Sequence, residues 1–347
     1  MLDLPRRQPD FDQFLKVLKR EGRPRHLPFY EHLASPGFIA SRLGVPFDRM
    51  TPADPPYWRH YVDFWLSLNF DCIPLEIGLK CPLAEPQESG LSHRSEAFAV
   101  IHNWQDFERY PWPTETDPID FRPFEIVAGL LPDGVKIVGG VCMGPFEWAT
   151  RLMGVEGLCK AVLKNPQLVE AVFDRLGRLS VAADRQLVTL DAIGALRQGD
   201  DLGFKSATFI SPADLRRWVF PIYKRFVAIA HAANKPFILH SCGNLDAVYD
   251  DLLDDVGIDA KHSFEEAILP VEHFKRRYAG RVTPLGGIDV DLVCRGSEDE
   301  IRRCTREKIA ACFADGHYAL GTGNSLTDYM PVERYLWVLD EGMRATG

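Results

Sequence analysis

The sequence has no CxxC pair, although it carries eight cysteines, at 72, 81, 142, 159, 242, 294, 304 and 312. Thiols scattered in this way, in a chain too long to need disulfide staples, mark most of them as reduced packing residues. No Lys/Arg-rich block interrupts a net charge of -9, which excludes the electrostatic footprint of a nucleic-acid partner. No apolar stretch approaches the roughly 20 residues that cross a bilayer. The opening "MLDLPRRQPDFDQFLKVLKREGRP" also lacks the apolar core of a signal peptide, so a cytoplasmic protein with no membrane partner is expected. There is no internal repeat and no low-complexity tract.

What is present is ordinary for a soluble globular protein: 46% hydrophobic and 26% charged residues. The 347 residues bury a large core and fit either one large α/β barrel or two ordinary domains. Short apolar or β-branched runs, each followed by a longer helical pattern, recur along the whole chain. They fall at 26–30, 71–76, 135–141, 193–198, 235–240, 257–261, 281–286 and 317–321. Eight strand–helix units is the number that closes a (β/α)8 TIM barrel, and an open doubly wound sheet with extra strands gives a similar count. The expectation is a single α/β barrel domain over 1–347.

Helix punctuation agrees with the alternation. Ser211-Pro212-Ala213-Asp214 supplies a capping serine, a proline at the first helical position and an early acid; Pro221 predicts a kink and Asn234 a stop. The stretch 297–316 starts at Ser297 and ends at Gly316 in the same manner. Residues 78–120, rich in proline and aromatics with two strand-like runs around "QESG", break the rhythm. They predict a hairpin and loop inserted after the second strand and lying over the barrel mouth.

In a barrel, chemistry belongs at the C-terminal strand ends. Those ends read Glu31-His32, Glu76 (on a strand entered at Asp71), Cys142 with Gly144-Pro145, Asp200-Asp201, His240 with Cys242, His262 with Glu265, Asp289, and Asn324. Alternation along a strand puts His240 and Cys242 on one face, with Gly243 letting the backbone turn at once. Imidazole at about 2.0 Å and thiolate at about 2.3 Å suit zinc, whose catalytic sites keep three protein ligands and an open position. H-x-C alone also fits a histidine that donates to a carboxylate or carbonyl beside a cysteine that fills a small gap. Asp201, Glu76 and Glu265 are the candidate catalytic acids; Asp71, Asp200, His262, Asp289 and Asn324 are the candidate substrate contacts. For the Asp200-Asp201 pair, a third metal ligand, a substrate-orienting role and helix capping all remain open.

At "VGGVCMGPFEWATRLMG", "GDDLGFKSATFISPADLRRWVFPIYKRFVAIAHAANKPFILHSCGNL", "GIDAKHSFE", "LGGIDV" and "GTGNSL" the chain resembles the uroporphyrinogen decarboxylase superfamily, from about residue 20 onward. The resemblance implies a (β/α)8 barrel with a deep cleft at its C-terminal face. It also implies one of two chemistries. True decarboxylases use an arginine-rich N-terminal motif and an aspartate, without metal or cofactor; here the equivalent stretch, "HLPFYEHLASPGF", lacks those arginines. The methyltransferase branch moves methyl groups to or from a corrinoid protein or a thiol, with zinc held by an H-x-C pair, matched by His240 and Cys242, and a later cysteine. This sequence has Asn324 at that third position, so Asp201, Glu76 or Glu265 completes the site or no metal binds. The resemblance therefore implies zinc, a corrinoid carried by a partner protein, a small methylated substrate and a homodimer, with decarboxylation of a uroporphyrinogen-like or other carboxylate substrate as the alternative.

Overall fold

A computed structural model describes residues 2–84 and 96–345. Six strands pair side by side in chain order, all parallel: β1 (Cys72–Gly78), β2 (Lys136–Cys142), β3 (Ile193–Gly199), β4 (Phe237–His240), β5 (Ala260–His262) and β6 (Thr283–Pro284). Beyond β6 the ring continues through isolated parallel bridges, Leu285 with Ala319 and Ile288 with Thr322, then Leu320 with Phe29 and Leu326 with Ala34.

The first and last expected strands are thus present as staves held by single bridges rather than full ladders, and prolines account for much of this. Pro28 and Pro284 each remove a ladder donor, and Gly286 and Gly287, at φ 74° and 108°, turn the chain out of β6 after two residues. On β1, Pro74 offers no N–H, and its carbonyl accepts the buried Tyr61 hydroxyl instead of a neighbouring strand. Side chains close that seam. One residue from each of the eight staves (Tyr30, Cys72, Val138, Ala195, Ile238, Ala260, Leu285 and Ala319) joins a single buried cluster inside the ring. The architecture is the expected α/β barrel.

The N-terminal end of the ring is stoppered by the helix Phe11–Lys19. Asp10 caps it by accepting the Asp12 N–H, and Phe11, Phe14, Val17 and Leu18, spaced along one helical face, enter the same interior cluster. Thr283 Oγ1 donates to the Val17 carbonyl at 2.7 Å and Phe11 N to Gly134 O at 2.7 Å, fixing the plug to the strand starts. The other face of the barrel is left for the site.

The sequence punctuation maps onto real ends. Ser211 accepts the Asp214 N–H, and the chain ahead of Pro221 widens into one turn, Leu215–Val219, where Phe220 N bonds Leu215 O. That wide turn is how the helix absorbs a proline with no N–H and a ring that crowds the preceding turn. Ser297 and Glu300 form a reciprocal capping box on Glu298–Cys312, whose last turns run out at Gly316, φ 82°. The strand-like runs around "QESG" lie at 85–95, outside the described residues. The described remainder of the insertion holds a short turn, Glu96–Phe98, and a helix, Trp104–Arg109. Glu96 accepts the Glu156 N–H at 2.8 Å, and Val100 and Ile101 both donate to Leu152 O, docking the segment on the helices that follow β2. Among the described residues no helix is long and apolar enough to cross a membrane.

Candidate metal centre

The ends of β3, β4 and β5 and the last stave bring four chemistries together. Asp201 follows β3, His240 ends β4 with Cys242 two residues on, His262 ends β5, and Asn324 lies between the bridges at Thr322 and Leu326. Ligand atoms of Asp201, His240 and Cys242 all lie within 4.8 Å of one another. His240 Nε2 is 3.5 Å from Cys242 Sγ and 3.8 Å from Asp201 Oδ1. The Cys242 N–H donates to Asp201 Oδ1 at 2.8 Å, so the backbone that presents the thiol also pins the carboxylate. Gly243 makes the turn possible: it sits at φ 84°, and a Cβ there would fall 2.2 Å from the Gly203 carbonyl carbon.

Asn324 stands at the cluster, but as a donor. Its Nδ2 donates to Cys242 Sγ at 3.3 Å, the amide being oriented by Ser325 Oγ, which donates to Asn324 Oδ1 at 3.2 Å. Ser263 Oγ donates to the same sulfur at 3.3 Å. Below them Lys261, fully buried, is clamped between the carbonyls of Ser241 and Ser263 and lies over the Phe264 ring. Burial pulls the Lys261 ammonium down to about 8 against the attraction of Cys242 and Asp201. Burial, helped by the Asp201 charge, pushes the Cys242 thiol up to about 12, with the Ser263 bond opposing. As a bare thiol it stays protonated; a bound cation would reverse that.

Three imidazoles meet beneath the cluster. His32 stacks on His240 with ring centres 3.7 Å apart and planes 16° apart, and His240 Nδ1 lies 2.8 Å from His262 Nδ1. Burial holds all three well below the ordinary histidine range, with the neighbouring cations Lys261 and Arg197 adding to it at His240. All three are therefore neutral.

The remaining candidates are spread more widely. Glu76 lies deeper in the barrel, 2.9 Å from the Arg197 guanidinium and without hydrogen-bond alignment to it, and 3.9 Å from His32 Nε2. Arg197 also donates to the His32 carbonyl; burial is the largest influence and opposes its charge, but Glu76 together with Tyr30 and Tyr61 holds it above the ordinary range. Glu265 is exposed and accepts the Gly243 N–H at 3.0 Å. Asp289 caps the helix Val290–Arg295 through the Asp291 N–H. Asp200 turns away from the mouth: its oxygens accept the N–H groups of Phe146 and Glu147 and the Tyr223 hydroxyl, tying β3 to the N-terminus of Pro145–Met153. Burial raises its pKa to about 7 despite these donors.

Asp71, expected as a substrate contact, sits at the opposite end of the barrel. It precedes β1, accepts the Asp10 N–H at 2.9 Å and pairs with His26 at 2.8 Å and Arg7 at 3.5 Å. The start and the end of a parallel strand open on opposite faces, so an acid entering a strand cannot share a site with one leaving it. His32 and Glu31, expected at the end of the first strand, are buried, with Glu31 accepting both the N–H and the hydroxyl of Thr322 at 2.6 Å.

A cavity of roughly 540 Å³ opens beside the cluster, lined by Phe264, Glu265, Asp289, Gly323, Asn324 and Tyr329 among others. Asn324 is common to both, and the volume suits a small molecule. A larger cavity, of roughly 660 Å³, lies among Arg7, Arg42 and Asn69 at the other end of the barrel, away from these strand ends.

Fold and site together define an α/β barrel with a carboxylate, an imidazole and a thiol gathered at its C-terminal mouth. The chain belongs to the uroporphyrinogen decarboxylase (URO-D) family, whose model matches residues 98–341. Among solved structures it is similar to a methyltransferase from Methanosarcina mazei, at 19% identity over 95% of this chain and 97% of that one, with a TM-score of 0.67. A vitamin-B12-independent methionine synthase from Listeria monocytogenes superposes more loosely, at 12% identity over 92% and 95% of the two chains and a TM-score of 0.46. No curated protein matches the sequence significantly.

Proposed function

We propose that the chain is the zinc-dependent methyltransferase or demethylase component of a methyl-transfer system. It takes a methyl group from a small methylated, and in particular methoxylated, substrate and passes it to a corrinoid protein docked over the barrel mouth or to a thiol. The observation that carries the reading is the convergence of Asp201, His240 and Cys242 at the C-terminal mouth. A carboxylate, an imidazole and a thiol form a mixed donor set that suits a borderline-soft cation such as zinc. The likeness in fold to a protein described as a methyltransferase lends support.

Within this reading Asp201 is the third ligand, held in place by the Cys242 N–H. Zinc bound by one thiolate, one imidazole and one carboxylate supplies Lewis-acid polarisation, stronger than with two thiolates and so suited to a substrate ether oxygen. Asn324 and Ser263 stabilise the anionic sulfur by donating to it, and Lys261 sets a positive charge behind it. Glu265, Asp289 and Asn324 line the substrate cavity. The lyase alternative asks for cations that grip several carboxylates, and Arg197 is buried against Glu76 while Lys261 is clamped by carbonyls.

Metal analysis of protein purified without added zinc tests the reading. About one zinc per chain is expected, lost in a folded His240→Ala, Cys242→Ala double variant, together with demethylation of a methoxylated compound when reduced corrinoid protein is supplied. A metal-free chain that turns over a porphyrinogen would replace this reading with the lyase.

A further inference from the structure

His240 and His262, at the ends of adjacent strands, face each other nitrogen to nitrogen, and the rest of the network decides which one holds the shared proton. His262 Nε2 lies 3.1 Å from the Thr322 carbonyl, a group that can only accept. That carbonyl is fixed: it also accepts the Gly287 N–H at 3.0 Å, while the amide and hydroxyl of Thr322 are both spent on Glu31. His262 therefore carries its proton on Nε2. The His262 ring is fully buried between an imidazole and a carbonyl, where a second proton would be an uncompensated buried charge, so its Nδ1 is a lone pair. His240 Nδ1, 2.8 Å away, is then the donor. This leaves the lone pair of His240 on Nε2, the nitrogen that faces Cys242 Sγ and Asp201 Oδ1. The opposite assignment would set the His262 Nε2 lone pair against a carbonyl oxygen with no proton between them, in a site that excludes water.

We infer that His262 is a positioning residue: through its bond to the Thr322 carbonyl it imposes the Nδ1–H tautomer on His240 and so presents Nε2 of His240 to the metal. Only the last step rests on the metal reading given above. His32, stacked on the His240 ring, restrains the plane of the ring but makes no hydrogen bond that would select the tautomer. The fully buried His262 thus acts behind the ligand instead of touching substrate.

Two measurements test this. In the metal-free protein labelled with 15N-histidine, two-bond 15N–1H correlations should show His240 as Nδ1–H and His262 as Nε2–H; His240 in the Nε2–H form overturns the inference. In chelator competition, His262→Phe should weaken zinc binding by about 10- to 100-fold, whereas His262→Gln should stay within about threefold of the parent, because a glutamine amide can accept from His240 and donate to Thr322. A folded His262→Phe chain that binds zinc as the parent does, or a His262→Gln chain as weak as His262→Phe, overturns it as well. Where His262→Phe fails to fold, the tautomer spectrum and His262→Gln decide. A parent chain that binds no zinc refutes the metal reading alone, since the tautomer spectrum is recorded without metal.

Discussion

Glu31→Gln isolates the cost of the buried carboxyl that joins the first stave of the barrel to the last. Burial raises the Glu31 pKa from 4.5 to about 8, even though Thr322 donates to both of its oxygens. Because the folded value is the higher one, the sign is fixed. Below pH 4.5 the carboxyl is protonated in both states and contributes nothing to the pH dependence. Between 4.5 and about 8 the folded chain keeps the proton while the unfolded chain releases it, so stability falls as pH rises. At about 1.4 kcal/mol per pH unit the fall reaches a ceiling of about 5 kcal/mol, and above pH 8 it levels off. A glutamine keeps the shape, accepts the Thr322 N–H and donates to its hydroxyl, without a charge to bury. Urea unfolding of both chains from pH 5 to 9 should therefore show the variant gaining on the parent across that range and then running parallel to it. Other buried acids, such as Asp200 and Asp184, are common to both chains and cancel in the difference. A difference that does not change with pH would refute the reasoning.

Arg197→Met should destabilise the fold by about 3–5 kcal/mol, because it strands the Glu76 carboxylate in the barrel interior, and adding Glu76→Leu should restore part of the loss; urea unfolding that puts the single variant within about 1 kcal/mol of the parent would contradict the pairing. Asp71→Asn should cost roughly 1–3 kcal/mol through its weakened bonds to Asp10 and His26 while leaving zinc content unchanged; a folded variant that loses its metal would put Asp71 back at the site.

The strands were legible because β-branched and apolar runs alternate with capped helices, a signal carried by neighbouring residues. Closure of the ring was not legible in the same detail. Whether residues 28–30 form a ladder with β1 depends on where Pro28 and Pro74 fall relative to the seam and on Tyr61 reaching the Pro74 carbonyl, which is a contact between distant segments. The same division runs through the site. His240 and Cys242 stand out because two-residue spacing at a strand end is local, and Asp201 is among the acids that the strand ends offer beside them. Glu31 and His32 are legible as a strand end, but their burial is not, because nothing nearby in sequence says that Thr322 and His240 will cover them.

One local signal was available and points at the site. Lys261 lies in "GIDAKHSF", a short apolar strand, and a lysine cannot be buried there unless acceptors converge on it. Those acceptors are the carbonyls of Ser241 and Ser263, the residues on either side of the thiol in space, so the lysine that a buried strand should not tolerate lies where an anionic sulfur would need a counter-charge. Likewise Asn324, where the resemblance implies a cysteine, donates to the sulfur of Cys242. In the proposed zinc site Asn324 would therefore be a hydrogen-bond donor to the sulfur and not a ligand, leaving the third ligand position to the carboxylate that the Cys242 N–H already holds in place.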